Sequence, residues 1–152
     1  MLRIATMWDR LRPLPGGRKI FSRLLGRMAP YTGSVSPYVE ELKPGYARVS
    51  MADRWKVRNH LKSVHAIALM NLAEVSSGLA LLYALPADGR AILTGLSIEY
   101  SKKARGRLTA EAELEVPGTT ERREYEFQSV IRDAEGDIVA TANARWLVGP
   151  RD

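Results

Sequence analysis

The stretch SVHAIALMNLAEVSSGLALLY, residues 63–83, decides the fold. Ser63 is a good N-cap. Residues 64–83 are strong helix formers and Pro86 stands just past their end, which predicts one helix over 64–83. About 20 residues make a helix roughly 30 Å long. Val64, Ala66, Ile67, Leu69, Met70, Leu72, Ala73, Val75, Leu79, Leu81 and Leu82 fall on nearly every side of it. A helix without a polar face is a buried helix, so the rest of the chain must wrap around it. The longest unbroken apolar run, 79–85, falls far short of the roughly 20 residues of a membrane span.

The wrapper lies on both sides of this stretch. Upstream, 35–42 reads as a short strand broken by Pro37. Lys43-Pro44-Gly45 is a turn and 46–51 a second strand, so the two form a hairpin. Residues 53–62 are a polar loop. Downstream, a strand over 91–101 follows the turn Ala87-Asp88-Gly89-Arg90. Gly106 permits a bend. Residues 107–116 alternate strictly, with Leu108, Ala110, Ala112, Leu114 and Val116 on one face and Thr109, Glu111, Glu113 and Glu115 on the other. Pro117-Gly118 turns the chain into 121–132, where Tyr125 and Phe127 share a face. The hairpin turn Asp133-Ala134-Glu135-Gly136-Asp137 leads to a last strand over 138–148, with Ala140, Ala142, Ala144 and Trp146 on one face. The expected order is two strands, one buried helix, then a four-stranded meander, antiparallel because its connections are too short for crossovers. The fold class is α+β. One long central helix wrapped by a curved antiparallel sheet is the hotdog arrangement.

At 152 residues the chain is one domain's length, and 45% hydrophobic with 26% charged residues is an ordinary globular balance. It has no cysteine, which excludes disulfide scaffolds, zinc fingers, iron–sulfur sites and cysteine nucleophiles. His60 and His65 are its only imidazoles, so neither a metal nor a cofactor is expected.

The charge is uneven. Residues 1–27 hold seven basic side chains against Asp9 alone, and the remainder balances to zero. We therefore divide the chain into a basic amphipathic segment, 1–29, and a hotdog domain, 30–152. Ile20, Phe21, Leu24, Leu25 and Met28 recur at helical spacing with arginines between. The segment has three readings. It packs on the domain as a helix; or residues 1–28 make a peripheral membrane contact, with Trp8, Leu11, Phe21 and Leu25 dipping in; or it is an Arg-rich transit peptide. No uninterrupted apolar core marks it as a secretory signal, and the expected location is cytoplasmic. The segment is too short for an independent helix-turn-helix, and base-stacking aromatics are not interleaved with the cations, so nucleic acid is not an expected partner.

Within residues 30–148, Asn59-His60-Leu61-Lys62-Ser63-Val64-His65-Ala66 followed by Asn71-Leu72-Ala73-Glu74 resembles the active-site stretch of hotdog-fold acyl-CoA thioesterases of the phenylacetate-pathway type. Ile98-Glu99-Tyr100, Ala104-Arg105-Gly106 and residues 133–140 are similar to that family's strand pattern. The chain looks closest to an uncharacterised branch with a basic N-terminal segment. The resemblance implies that Asn59, His65 and Glu74 match the family's Asn, His and catalytic carboxylate. Two departures stand out. The Gly-Gly pair after the His is replaced by Ala66-Ile67, and the Gly three residues after the Asn is Lys62.

The chemistry follows from residue types. Unpaired N–H groups of Ala66 and Ile67 at the helix start would polarise a thioester carbonyl. Glu74 would act as general base or as nucleophile, and Asn59 would orient water or carbonyl. Lys102, Lys103 and Arg105 would meet the phosphates of coenzyme A. Each has a bland counterpart: a structural ion pair at an interface for Glu74, local hydrogen bonding for His65, a turn role for Asn59 and a solvated strand end for the cations. Ser76-Ser77-Gly78 lacks the frame of a nucleophile elbow. His65 and Glu74, nine residues apart on one helix, face opposite ways about 13 Å apart along the axis. Acting together, they must come from two subunits. The expectation is a homo-oligomer, dimer or tetramer, with composite sites that hydrolyse acyl-CoA or acyl-carrier thioesters. A non-catalytic acyl-CoA binder is the alternative, and a hotdog dehydratase a third reading.

Overall fold

The computed structural model describes residues 3–151. Its centre is the expected helix, α4 (Ala66–Ala84). The helix starts later than Ser63 predicts, because Val64 is still extended. Val64 donates its N–H to the Ala104 carbonyl at 2.8 Å and bridges to Arg58. His65 is the N-cap instead. By length and composition α4 could cross a bilayer, but most of it is buried inside the protein.

Six antiparallel strands wrap it: β1 (Tyr38–Lys43), β2 (Tyr46–Met51), β3 (Gly89–Tyr100), β4 (Leu108–Glu113), β5 (Arg123–Arg132) and β6 (Ile138–Pro150). Their order is β1-β2-β4-β5-β6-β3. The hairpin over β1 and β2 forms as expected, with Gly45 at φ +74° in the turn. The four-stranded meander does not. Only β4, β5 and β6 run as neighbours. β3 pairs with β6 at the far edge, and β4 inserts beside β2. The link over 101–107 therefore spans the sheet rather than closing a hairpin.

The sheet approaches α4 closely because its inner face is small. Ala47, Ala110, Ala112, Ala140, Ala142 and Ala144 are all buried there. The helix answers with Ser76, Ser77 and Gly78. A Cβ at Gly78 would lie 2.9 Å from the Trp146 ring. Ser76 Oγ meets Ser129 Oγ at 2.7 Å, and Trp146 Nε1 donates to Ser77 Oγ at 3.2 Å. Both serines thus act in helix–sheet packing.

The N-terminal segment forms α1 (Ile4–Leu11) and α2 (Gly17–Met28), followed by a short α3 (Pro30–Val35). Sequence patterning missed α3, reading a strand from residue 35. Pro30 sits at a position helices favour, its first, and Ser36 at φ +54° ends the helix, so Pro37 precedes β1 rather than breaking it. Trp8, Phe21 and Leu25 are buried in one continuous core with Leu69 and Leu72 of α4. The side chains that would dip into a membrane are thus turned inward, with Leu11 packed against the same core. Tyr83 donates to Asp9 at 2.9 Å, and buried Ser22 accepts the Val39 N–H at 2.9 Å. These bonds tie α1 to α4 and α2 to β1.

Candidate functional site

His65 leaves the loop in extended backbone and turns its imidazole back, so that Nδ1 accepts the Ile67 N–H at 3.0 Å. One of the two expected oxyanion donors is thereby satisfied within the cap. The Ala66 N–H has no hydrogen-bond partner among the described residues. The Ala66 carbonyl accepts from the Tyr100 hydroxyl at 2.9 Å. Tyr100, at the end of β3, thus closes over the helix start, and burial raises its phenol pKa above the ordinary value.

Asn59 holds the loop before α4. Its Oδ1 accepts from Leu61 N–H at 2.9 Å, Ser63 N–H at 3.2 Å and Ser63 Oγ at 3.1 Å. Ser63, expected to cap the helix, serves this loop instead. Lys62, where the resembled family has glycine, is in the left-handed region at φ +55°. That explains a preference for glycine there, since L side chains rarely adopt that conformation.

Glu74 stands half-buried on the one partly open stripe of α4, with Ile67 and Met70. Burial raises its carboxyl pKa above the ordinary range, and a hydrogen bond from Asn71 opposes this to a smaller degree. Asn71 is buried and donates Nδ2 to Thr32 of α3 at 3.0 Å, leaving its Oδ1 without a partner. Its partner Thr32 lies 39 positions away, beyond the reach of any local pattern.

The predicted residues separate into three places. His65 and Ile67 line a cavity of about 730 Å³ with Tyr31, Arg54, Trp55 and Lys56. Trp55 is 84% exposed there, a surface aromatic that the polar-loop reading passed over. Arg54 is anchored, donating to the Ser34 and Val35 carbonyls at 3.1 and 3.0 Å. Asn59, Ala66, Tyr100, Lys102 and Lys103 line a second cavity of about 360 Å³. Glu74 lines neither.

The three cations also part. Lys102 Nζ lies 2.7 Å from Asp133, 2.8 Å from Asp137 and 3.3 Å from Glu135 in the β5–β6 turn. Those carboxylates hold its pKa well above the ordinary lysine value. It is committed to the hairpin rather than free for a phosphate, and its ammonium occupies the centre of the carboxylate cluster. Lys103 and Arg105 make no ion pair among the described residues, and Arg105 lowers the pKa of nearby Asp53.

A six-stranded antiparallel sheet wrapped around one long helix makes this a hotdog-fold protein. The chain belongs to the family described as "Domain of unknown function (DUF4442)", whose profile matches residues 17–148. The solved structure of a structural-genomics protein, APC5556, is 31% identical, aligns over 97% of this chain and 98% of its own, and superposes with a TM-score of 0.82. PA5026 of Pseudomonas aeruginosa, described as a protein of unknown function and "Probable Thioesterase", is 24% identical over 91% of this chain and 97% of its own, with a TM-score of 0.78. The thioesterase HI1161 of Haemophilus influenzae shares the fold at 16% identity, over 83% of this chain and 88% of its own, with a TM-score of 0.71. No curated protein matches the chain.

Proposed function

We propose that the protein hydrolyses acyl-CoA or acyl-carrier thioesters, with Glu74 as the carboxylate that activates water or attacks the carbonyl. The observation that carries this reading is Glu74 itself. It is the single carboxylate on the central helix, half-buried, with its pKa raised by desolvation. A carboxylate moved toward neutral pH suits a general base. Similarity in fold to proteins named as thioesterases supports the same chemistry. The Ala66 N–H is the free donor for a developing oxyanion, and Asn59 shapes the loop that presents it.

The active unit in this reading is a two-fold dimer. His65 caps α4 and Glu74 follows nine positions on, about 13 Å along the axis, so a shared carbonyl needs two copies. The surface for this is β3, the end strand of the sheet, which is 12 residues long. Its Leu93, Leu96 and Ile98 are only partly covered. A long uncovered edge of this kind invites pairing with a second strand.

A second reading is a non-catalytic acyl-CoA binder, and one observation favours it: His65 already occupies the Ile67 N–H. The test is thiol release from short, long and aromatic acyl-CoA esters by wild type and Glu74→Gln. Turnover by wild type that falls by about 10²-fold or more in the variant, with the fold intact, is the expected result. Thermal stabilisation by an ester without turnover would select the binder.

A further inference from the structure

We propose that the outward face of α2 docks the protein on an anionic lipid surface, independently of the hydrolytic reading. Between Asp9 and Glu40 the chain has no acidic residue, yet it carries Arg10, Arg12, Arg18, Lys19, Arg23 and Arg27. The structure sorts them. Phe21, Ser22 and Leu25 turn α2's other side into the core, so Lys19, Arg23 and Arg27 fall at i, i+4 and i+8 in one exposed row. The row is about 12 Å long. None of the three makes an ion pair among the described residues, whereas the rest of the chain is electrically balanced. Along the sequence, six basic residues with one acid at their edge concentrate the net charge in this segment, and Arg12 is the one paired with that acid.

Two further features choose the occupant. The row forms one wall of a groove of about 660 Å³, whose other wall is Pro30, Gly33 and Pro37, with no carboxylate among its lining. Bulky apolar side chains interrupt the cations: Ile20 on the same helix is 44% exposed, Leu14 just before it 53%, and Met28 at its end 45%. An acidic protein would pair the cations and leave these apolar groups without a partner. The headgroup boundary of a bilayer offers phosphates to the cations and acyl carbons to the apolar groups together. The membrane contact is thus the reverse of the amphipathic-anchor reading, because Trp8, Phe21 and Leu25 stay in the core.

The experiment is co-sedimentation of the full chain with vesicles of phosphatidylcholine alone or with about one-third phosphatidylglycerol, at low and high salt. Each basic residue near an anionic surface contributes about 1 kcal/mol, close to fivefold in partition. Removing three in K19Q/R23Q/R27Q lowers binding to the anionic vesicles by on the order of 100-fold, with the melting temperature unchanged. High salt has the same effect, and neutral vesicles bind weakly throughout. If the triple variant folds poorly, Arg23→Glu alone is expected to lower binding by about 30-fold. Equal binding to neutral vesicles, or undiminished binding by a folded variant, overturns the proposal. So does binding to soluble heparin without binding to vesicles, which reassigns the row to an acidic macromolecule.

Discussion

Replacing Phe21 by Ala tests whether the basic segment is part of the folded core or an appendage on it. Phe21 is fully buried and meets the Trp8 ring edge-on, with centroids 5.0 Å apart and planes at 77°. Both rings sit in the cluster that contains Leu69 and Leu72 of α4 and Val39 of β1. Truncating a buried Phe costs about 3–5 kcal/mol in lost transfer energy and residual cavity, and the aromatic pair accounts for about 1 kcal/mol of interaction beyond area. A domain of this length loses about 2–4 °C per kcal/mol, so the melting temperature should fall by roughly 6–20 °C. Against a total stability of about 5–15 kcal/mol, the variant is left marginal. The assay is differential scanning calorimetry paired with urea unfolding. The urea midpoint should move while the slope stays constant, as expected when the same surface is exposed on unfolding. Arg23→Gln, on the exposed side of the same helix, is the control and should change stability by under about 0.5 kcal/mol. A Phe21→Ala shift below about 2 °C would refute the reasoning, because α1 and α2 would then contribute nothing to the cooperative unit.

Two further outcomes follow from the same geometry. Gly33→Ala forces a Cβ to within 2.4 Å of the Gly26 carbonyl oxygen, where backbone meets backbone and no side chain can yield; it should destabilise by about 1–3 kcal/mol in a thermal melt. Glu74→Gln should gain stability relative to wild type as pH rises. The raised carboxyl pKa means the folded state favours the proton, so the contribution of Glu74 to stability is fullest below the ordinary carboxylate value and is lost as pH rises above it. Melting curves of the pair between acid and neutral pH should therefore diverge, and parallel curves would contradict a buried carboxylate.

The α4 helix could be read directly because residue types on every side were apolar, and a helix with no polar face has one physical solution. The alternation in β4 and β6 was equally legible, since Ala110, Ala112, Ala140, Ala142 and Trp146 each turn inward at period two. Strand order was not. Nothing in the local pattern of residues 91–116 distinguishes a hairpin from a link that spans the sheet. Pairing was decided by which neighbour buries each strand, and β4 found both β2 and β5. Helix α3 escaped for the opposite reason: six residues with two internal signals, Pro30 and Gly33, carry too little periodicity to register.

The candidate site divides along the same line. Asn59, His65 and Glu74 are marked by the resemblance to the thioesterase stretch, and the bonds of Asn59 and His65 are local, spanning two to four positions. Such bonds follow from adjacent residues and their turn chemistry. The desolvation of Glu74, the tether of Asn71 to Thr32 and the capture of Lys102 by Asp133, Glu135 and Asp137 join residues tens of positions apart. The sequence by itself determined the central helix, the alternating faces and the concentration of charge at the front of the chain, because each is a property of neighbours along the backbone. Tertiary structure alone decided which aromatic groups of that front segment enter the core and which cations face outward. It also decided which lysine is already paired, because burial and charge pairing depend on what the folded chain brings into contact.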